Sequence, residues 1–241
     1  ATRRRVAHMT TRDAPEIGLT RWWRRARFGP IVAVLAAAAL APAGAQAADP
    51  NLMAQWHLDA GDFGGGAALD SSGHANHLIA PPGLTKIPDG RFAGAVSFAD
   101  LDLLYGNASA SLEPEHLSVV AWVRGTSPGT AKYLIGKGRD VACTGASYAL
   151  ETDFSGGLVF YIWDGAGLVV KSPDAGTGIW DGHWHAVAGT FDGSRVRLYV
   201  DGAPVPGAVV TKKQISYAMT GGNDLTVGGT ACAEALGFPG D

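Results

Sequence analysis

Basic residues are scarce over most of this chain. Of its 19 Lys and Arg, eight (Arg3, Arg4, Arg5, Arg12, Arg21, Arg24, Arg25 and Arg27) fall within positions 1–47, beside only two acids, Asp13 and Glu16. Residues 48–241 therefore hold 11 bases against 20 acids, a net charge of −9. An acidic body of this kind excludes nucleic acid as the partner, because phosphate backbones are held by clustered Lys and Arg. It equally excludes electrostatic docking to anionic lipid. Glutamate is rarer still: beyond residue 47 only Glu113, Glu115, Glu151 and Glu234 remain. Cysteine is limited to Cys143 and Cys232, without the paired spacing of a zinc site. No apolar run approaches the roughly 20 residues of a membrane-spanning helix. After the N-terminal region no eleven-residue window sustains a 3.6-residue period, which excludes a helical bundle and βαβ units. Glycine is abundant instead: 34 residues, about twice the usual share. With 46 % hydrophobic residues and 17 % charged, the composition is that of a turn-rich globular chain rather than a disordered one.

The N-terminal region has an organisation of its own. Arg21-Trp22-Trp23-Arg24-Arg25 precedes an apolar run from Ile31 to Ala41, and Ala45-Gln46-Ala47 supplies small residues at a cleavage position. This order of basic, apolar and small segments predicts a secretory signal over 1–47, with the mature chain beginning at Ala48. Export places the protein outside the cell, in the periplasm or on the cell surface, with no membrane insertion once the leader is removed. In an oxidising compartment an even pair of cysteines predicts a disulfide between Cys143 and Cys232, the alternative being two unpaired thiols. The bridge would close a loop of about 90 residues and contribute ~4 kcal/mol in the chain-entropy account.

Within 48–241, one domain's worth of chain, short apolar or alternating runs are bounded by Gly, Asp or Pro. Leu52, Ala54, Trp56 and Leu58 alternate with Met53, Gln55 and His57 and predict a half-buried strand. Further strands are expected at 95–98, 101–105, 117–123, 133–136, 147–152, 158–163, 168–171, 183–191, 195–200, 205–210 and 225–228. The clearest local signal lies in 184–205, where Asp192-Gly193 and Asp201-Gly202 supply the turn chemistry for two consecutive hairpins, a three-strand meander. Turn signals at intervals of about 8–15 residues predict an all-β sandwich or barrel.

Several segments carry a family likeness: AQWHLDAGDFGGGAALDSSGHANHL (54–78), GRFAGAVSF (90–98), LSVVAWVRG (117–125), YLIGKG (133–138), YALETDFSGGLVFYIWDG (148–165), WDGHWHAVAGTFDGSRVRLYVDG (180–202) and FPGD (238–241). Together they resemble a bacterial laminin-G-like (LamG-like) jelly-roll domain of the concanavalin A-like lectin/glucanase superfamily, over nearly all of 48–241. The resemblance implies an all-β, two-sheet antiparallel jelly-roll sandwich, secreted, often a module of a larger protein, and often calcium-binding. The placement of Cys143 and Cys232 is similar to that of a disulfide-bearing subgroup. In that family a closing strand follows the Phe-x-Gly segment and pairs beside the first strand. Its absence before Asp241 leads us to expect a piece of a longer chain tethered to further domains.

Catalysis of the glucanase kind needs two carboxyl groups facing one cleft, roughly 5–9 Å apart. The only echo is Glu151-x-Asp153, whose second Glu is missing and which runs into Ser155-Gly156-Gly157, a turn. A catalytic role is therefore not expected, and Asp153 reads as a hairpin residue. Calcium, as a hard cation, would be held by oxygens of the N-terminal loops, with Asp59, Asp70 and Asn76 as its ligands, although Asp70-Ser71-Ser72-Gly73 is equally an Asx-turn. His183 and His185 share a strand side, and His185 is expected to pack within the sandwich and satisfy a hydrogen bond. Trp56, Trp122 and Trp184, among apolar neighbours, read as core. Tyr161, Trp163, Asp164 and Trp180 are the candidate ligand-binding residues, the alternative being that these rings cap the sandwich core. Aromatic rings beside acids at strand ends suit a pyranose, the ring taking the C–H face and the carboxylate the hydroxyls. The function expected is an exported, non-catalytic recognition module for a glycan. A protein-binding adhesion or structural module is the alternative, and a glycoside hydrolase the remaining one.

Overall fold

The computed structural model describes residues 49–99, 101–142, 145–167, 169–230 and 237–241. The predicted leader over 1–47 and both members of the predicted Cys143–Cys232 disulfide lie outside the described residues. Strands β1 to β6 are Phe63–Gly64, Ala67–Ala68, Leu78–Ile79, Thr85–Ile87, Ala95–Ser97 and Leu104–Gly106. Strands β7 to β11 are Leu117–Val123, Lys132–Arg139, Tyr148–Thr152, Leu158–Trp163 and Val169–Lys171. Strands β12 to β16 are His185–Phe191, Arg195–Val200, Ala203–Pro204, Val209–Val210 and Gly222–Val227. Only three short 3₁₀ turns interrupt this all-β pattern among the described residues.

Two large sheets form. The nine-stranded one has the order β1-β2-β3-β6-β16-β8-β9-β10-β11; the five-stranded one runs β14-β13-β12-β7, with β15 beside β13. Neighbours within both are antiparallel, and β4 and β5 make a separate hairpin. The expected meander over 184–205 is β12-β13-β14. Its second turn needs Asp201 at φ 50° and Gly202 at φ 78°, the left-handed pair for which Asp-Gly is suited.

Period-two alternation decides the core. Leu150, Leu158, Phe160 and Ile162 of the large sheet meet Val187, Phe191, Val196 and Leu198 of the smaller one, all fully or almost fully buried. Where β10 crosses β12 the approach is close: a Cβ on Gly189 would stand 2.2 Å from the Phe160 ring. The sandwich is the all-β, antiparallel two-sheet architecture that the sequence predicts.

The first predicted strand is a correction. Within 52–58 the expected alternation holds from Ala54 on, with Ala54, Trp56 and Leu58 packed on the core and Gln55 and His57 exposed, but Met53 rather than Leu52 also packs on the core, and the segment joins no strand ladder. The loop 70–76 takes their polar backbone instead. Asp70 Oδ1 accepts the Gln55 N–H at 2.9 Å, Ser71 N–H donates to Gln55 O, and Ser72 Oγ and Asn76 Nδ2 donate to Met53 O. Side-chain groups thus satisfy what a neighbouring strand would otherwise satisfy. At the other end, Phe238 is buried against Trp180, and residues 240–241 exchange backbone hydrogen bonds with Phe98 and Arg124.

Candidate functional site

The same alternation that fills the core loads the outer face of the five-stranded sheet. Since Val119, Ala121 and Val123 of β7 point inward, Ser118, Val120, Trp122 and then Arg124 point out. In β12, Ala186, Ala188 and Thr190 point out, preceded on that side by Trp184; in β13, Arg197 and Tyr199 do. Register sets Trp122 opposite Ala186, Val120 opposite Ala188, and Ala188 opposite Tyr199. Ala186 and Ala188 therefore make a low floor between Trp122 and Tyr199, which lie diagonally across it, two strand spacings apart and offset by two residues along the strands, roughly 12 Å. Val120 is 61 % exposed on this face. Trp122 and Trp184, expected in the core, thus lie half-buried on the outside. Apolar neighbours in sequence do not reveal which side of the sheet a ring faces.

The tip of the β4–β5 hairpin leans over the same edge. Gly90 N–H donates to Ala93 O at 3.0 Å, and Gly94 N–H donates to Asp59 Oδ1 at 2.7 Å. A Cβ on Gly90 would lie 1.9 Å from Gly94 O, so the loop closes only with glycine there. This tight tip presents Arg91 and Phe92. The Phe92 ring, 77 % exposed, meets Trp122 edge-on at 5.5 Å and 88°. The Arg91 guanidinium stands 4.6 Å from the Trp122 ring centre and 5.3 Å from that of Phe92. Next to it, Arg124 stacks at 4.9 Å on Trp184 and is also bound to Asp241 and Asp89, at 2.8 and 3.2 Å. The hydrogen bond Arg124 donates to Asp241, opposed by slight desolvation and reinforced by Asp89, holds its guanidinium even more firmly charged.

Acids border the face at the Asp201 turn. Asp201 Oδ1 accepts the Ala186 N–H at 3.0 Å, and Oδ2 lies 2.7 Å from His185 Nδ1. His185 Nε2 lies 3.2 Å from Asp181 Oδ1, which also meets His183 Nδ1 at 3.0 Å. The hydrogen bond to Asp201 is the main cause that raises the His185 pKa. Hydrogen bonds from the His183 N–H and from His185 draw Asp181 down to about 2. His185 does satisfy its ring nitrogens as expected, but at the rim, clamped between two loops.

The residues expected to bind ligand are not assembled into one surface. Tyr161 is 2 % exposed; its hydroxyl lies 3.0 Å from that of Tyr133 and accepts the Ala146 N–H, and burial pushes its pKa well up. Trp180 is 7 % exposed, donates Nε1–H to Gly156 O at 2.8 Å and packs 4.7 Å from Phe238. Tyr161 packs in a small cluster with Tyr133, Ala146 and Ala149, whereas Trp180 belongs to the main core beside Phe238. Trp163 is half-buried, while Asp164, with its side chain 2 % exposed, accepts the Ala166 N–H and pairs with Lys213 at 2.8 Å. No carboxylate oxygen is left beside Trp163 to receive a sugar hydroxyl.

The calcium set is likewise employed in the fold. Asp70 Oδ1 accepts from Gln55 and Ser72 N–H, and Oδ2 from Ser72 Oγ–H and Asn76 N–H, each at 2.8 to 2.9 Å. Burial opposes ionisation of Asp70, yet these hydrogen bonds prevail and hold its pKa below the usual value. Asp59 carries the hairpin tip, and Asn76 Nδ2 bridges Met53 O and Ser111 Oγ. Among the described residues no three His, Cys, Asp or Glu side chains gather as a metal cluster. As they stand, Asp59, Asp70 and Asn76 do not fit a calcium ion. The Asx-turn at Asp70 is present instead.

Asp153 is the hairpin residue expected: its Oδ1 accepts from the Ser155 and Gly157 N–H groups. Glu151 is buried and paired with Lys171 at 3.0 Å; burial, opposed by Lys171, raises its pKa.

A laminin-G profile of the concanavalin A-like lectin/glucanases superfamily matches residues 102–241. No curated protein matches the chain. Among solved structures, the sialidase of Trypanosoma rangeli superposes with a TM-score of 0.50 at 17 % identity, over 73 % of this chain and 27 % of that one. The carbohydrate-binding module CBM40 of the Ruminococcus gnavus IT-sialidase, bound to α2,6-sialyllactose, gives a TM-score of 0.40 at 21 % identity, over 54 % and 74 %. Domain 4 of a GH43 extracellular arabinanase from Geobacillus stearothermophilus, with arabinotriose, gives 0.46 at 14 % identity, over 71 % and 82 %. At these identities the likeness is one of fold.

Proposed function

This chain belongs to the concanavalin A-like lectin/glucanases superfamily, and on that premise we propose that it is an exported, non-catalytic module that binds carbohydrate on the outer face of its five-stranded sheet. The observation that carries this reading is the trough of Ala186 and Ala188 between Trp122 and Tyr199, with Phe92 at its edge and Asp201 at its end. Aromatic rings at a surface take the apolar C–H face of a pyranose. Fold alone does not choose among the functions this superfamily hosts, so the reading rests on the site.

The non-catalytic part of the proposal is supported by Glu151 and Asp153. One carboxylate is buried against Lys171 and the other is bound into its own turn, so the pair does not offer an acid and a base to one cleft. Export rests on the pattern of 1–47, and tethering to further domains on the family resemblance. A second reading, protein adhesion through the same face, is favoured by the exposure of Val120 and Phe92.

The deciding experiment is a glycan array with the whole chain, followed by calorimetry on the best ligand with Trp122→Ala. We expect binding to a defined glycan class, weakened about tenfold or more, some 1.4 kcal/mol, by the substitution. Silence on the array would remove the carbohydrate reading and leave adhesion. Binding that ignores Trp122→Ala would remove this face.

A further inference from the structure

Resting on the carbohydrate reading above, we infer that the sugar recognised carries a negative charge, and that Arg91 is the residue that reads it. The two guanidinium groups at this edge of the sheet are in different states. Arg124 already has two carboxylates, Asp241 and Asp89, and its charge is neutralised within the fold. Arg91 is stacked on Trp122 and Phe92, yet among the described residues its guanidinium has no hydrogen-bond or ion-pair partner. The guanidinium thus lies against both rings while its N–H donors remain unspent. Asp89, the acid nearest in sequence, is committed to Arg124.

A planar fork of donors, held beside rings that take the body of a sugar, matches a carboxylate or sulfate ester on that sugar. Position makes the match specific. Arg195, by contrast, lies at the far end of β13, across from Val210. The overall charge is also informative. With a net of −9 over 48–241, a densely charged polyanion would be repelled, whereas a glycan with isolated acidic residues would meet Arg91 alone. The anionic group could be a uronate carboxylate or a sulfate ester, and Arg91 would treat them alike.

The test titrates the whole chain with three probes: an oligouronate, the same oligosaccharide after carboxyl reduction, and a sparsely sulfated oligosaccharide with its desulfated form. A charged probe is expected to bind roughly tenfold or more tighter than its neutral counterpart. The preference should fall as salt rises, as for an exposed ionic contact. Arg91→Ala should abolish the preference, bringing the charged probe down to the affinity of its neutral counterpart, and Arg91→Lys should restore only part of it, since an ammonium lacks the fork. Whichever of the two charged probes shows the preference names the source of the anion. Equal binding of charged and neutral probes by the wild type overturns the inference and leaves the carbohydrate reading standing. So does an Arg91→Ala chain that loses both alike, since Arg91 would then only position Trp122. If no probe binds and Trp122→Ala changes nothing on any glycan, the carbohydrate reading itself has failed.

Discussion

His185 is held by carboxylates on two sides, and its titration should be visible in stability. Its folded pKa is raised, chiefly by Asp201 and then by Asp181. A raised pKa means that protonation favours the folded state, so this contribution is full below the unfolded value near 6.5 and is lost as pH climbs through the folded value. Thermal melts are therefore expected to show a component of stability that fades as pH rises from about 6.5 through the raised folded value. Asp201→Asn should flatten that component, and an unchanged profile would show the clamp to be energetically idle. Asp70 has the opposite sign: its pKa is lowered, so its contribution is present above about 4 and fades as pH falls through the folded value. Because four donors converge on this buried carboxylate, Asp70→Ala should destabilise the chain by about 1.5–3 kcal/mol, read by urea denaturation. Of these two residues, Asp70 was legible in sequence as a turn, because an Asx-turn is a local event. The His185 clamp was not, because Asp181 and Asp201 reach it from separate loops.

At the scale of strands, β12 carries both surfaces of the smaller sheet, and its glycine shows how closely the inner one is packed. Gly189→Ala would press a methyl into the Phe160 ring, 2.2 Å away. Such overpacking typically costs about 1–3 kcal/mol, and the denaturation midpoint should fall accordingly. Removing the ring with Phe160→Ala should cost more, about 3–5 kcal/mol, because the buried volume is emptied rather than crowded. The double variant should recover part of the single losses, since the two positions share one space. The outer surface of β12 depends on small residues in the other sense: Ala186 and Ala188 keep the trough low. Strand positions were readable from alternation and Asp-Gly turns. What alternation could not say is which half of each strand meets the core, and that is why Trp122 was read as interior. The segment 52–58 alternates just as well and yet joins no ladder, because the loop 70–76 claims its backbone.

For the molecule as a whole, two large sheets and a borrowed hairpin set the expectations. A structural calcium at a hundred times its Kd would add about 2.7 kcal/mol, or roughly 5–10 °C in a domain of this size. With Asp70 saturated and Asp59 bound to Gly94, no such rise is expected, and melts with calcium and with excess chelator should coincide. A calcium-dependent shift would require donors other than Asp59, Asp70 and Asn76. The acidic body also predicts that ligand binding tracks one cationic point rather than a field, so salt should weaken it modestly.

The sequence by itself determined the class of fold, the turns and most of the strands, because these follow from period-two patterning and from residues that act on their immediate neighbours. It also determined the acidic balance and the poverty in glutamate. Only the tertiary structure decided the candidate site. Arg91 and Phe92 lie about thirty residues before Trp122, and Trp122 about sixty before Ala186 and about eighty before Asp201. Their meeting depends on which face of each strand turns outward and on where a hairpin tip comes to rest. Tyr161 and Trp180, which sequence offered either as ligand-binding rings or as caps of the core, are buried by partners remote in sequence, Tyr133 and Phe238, that no local pattern records.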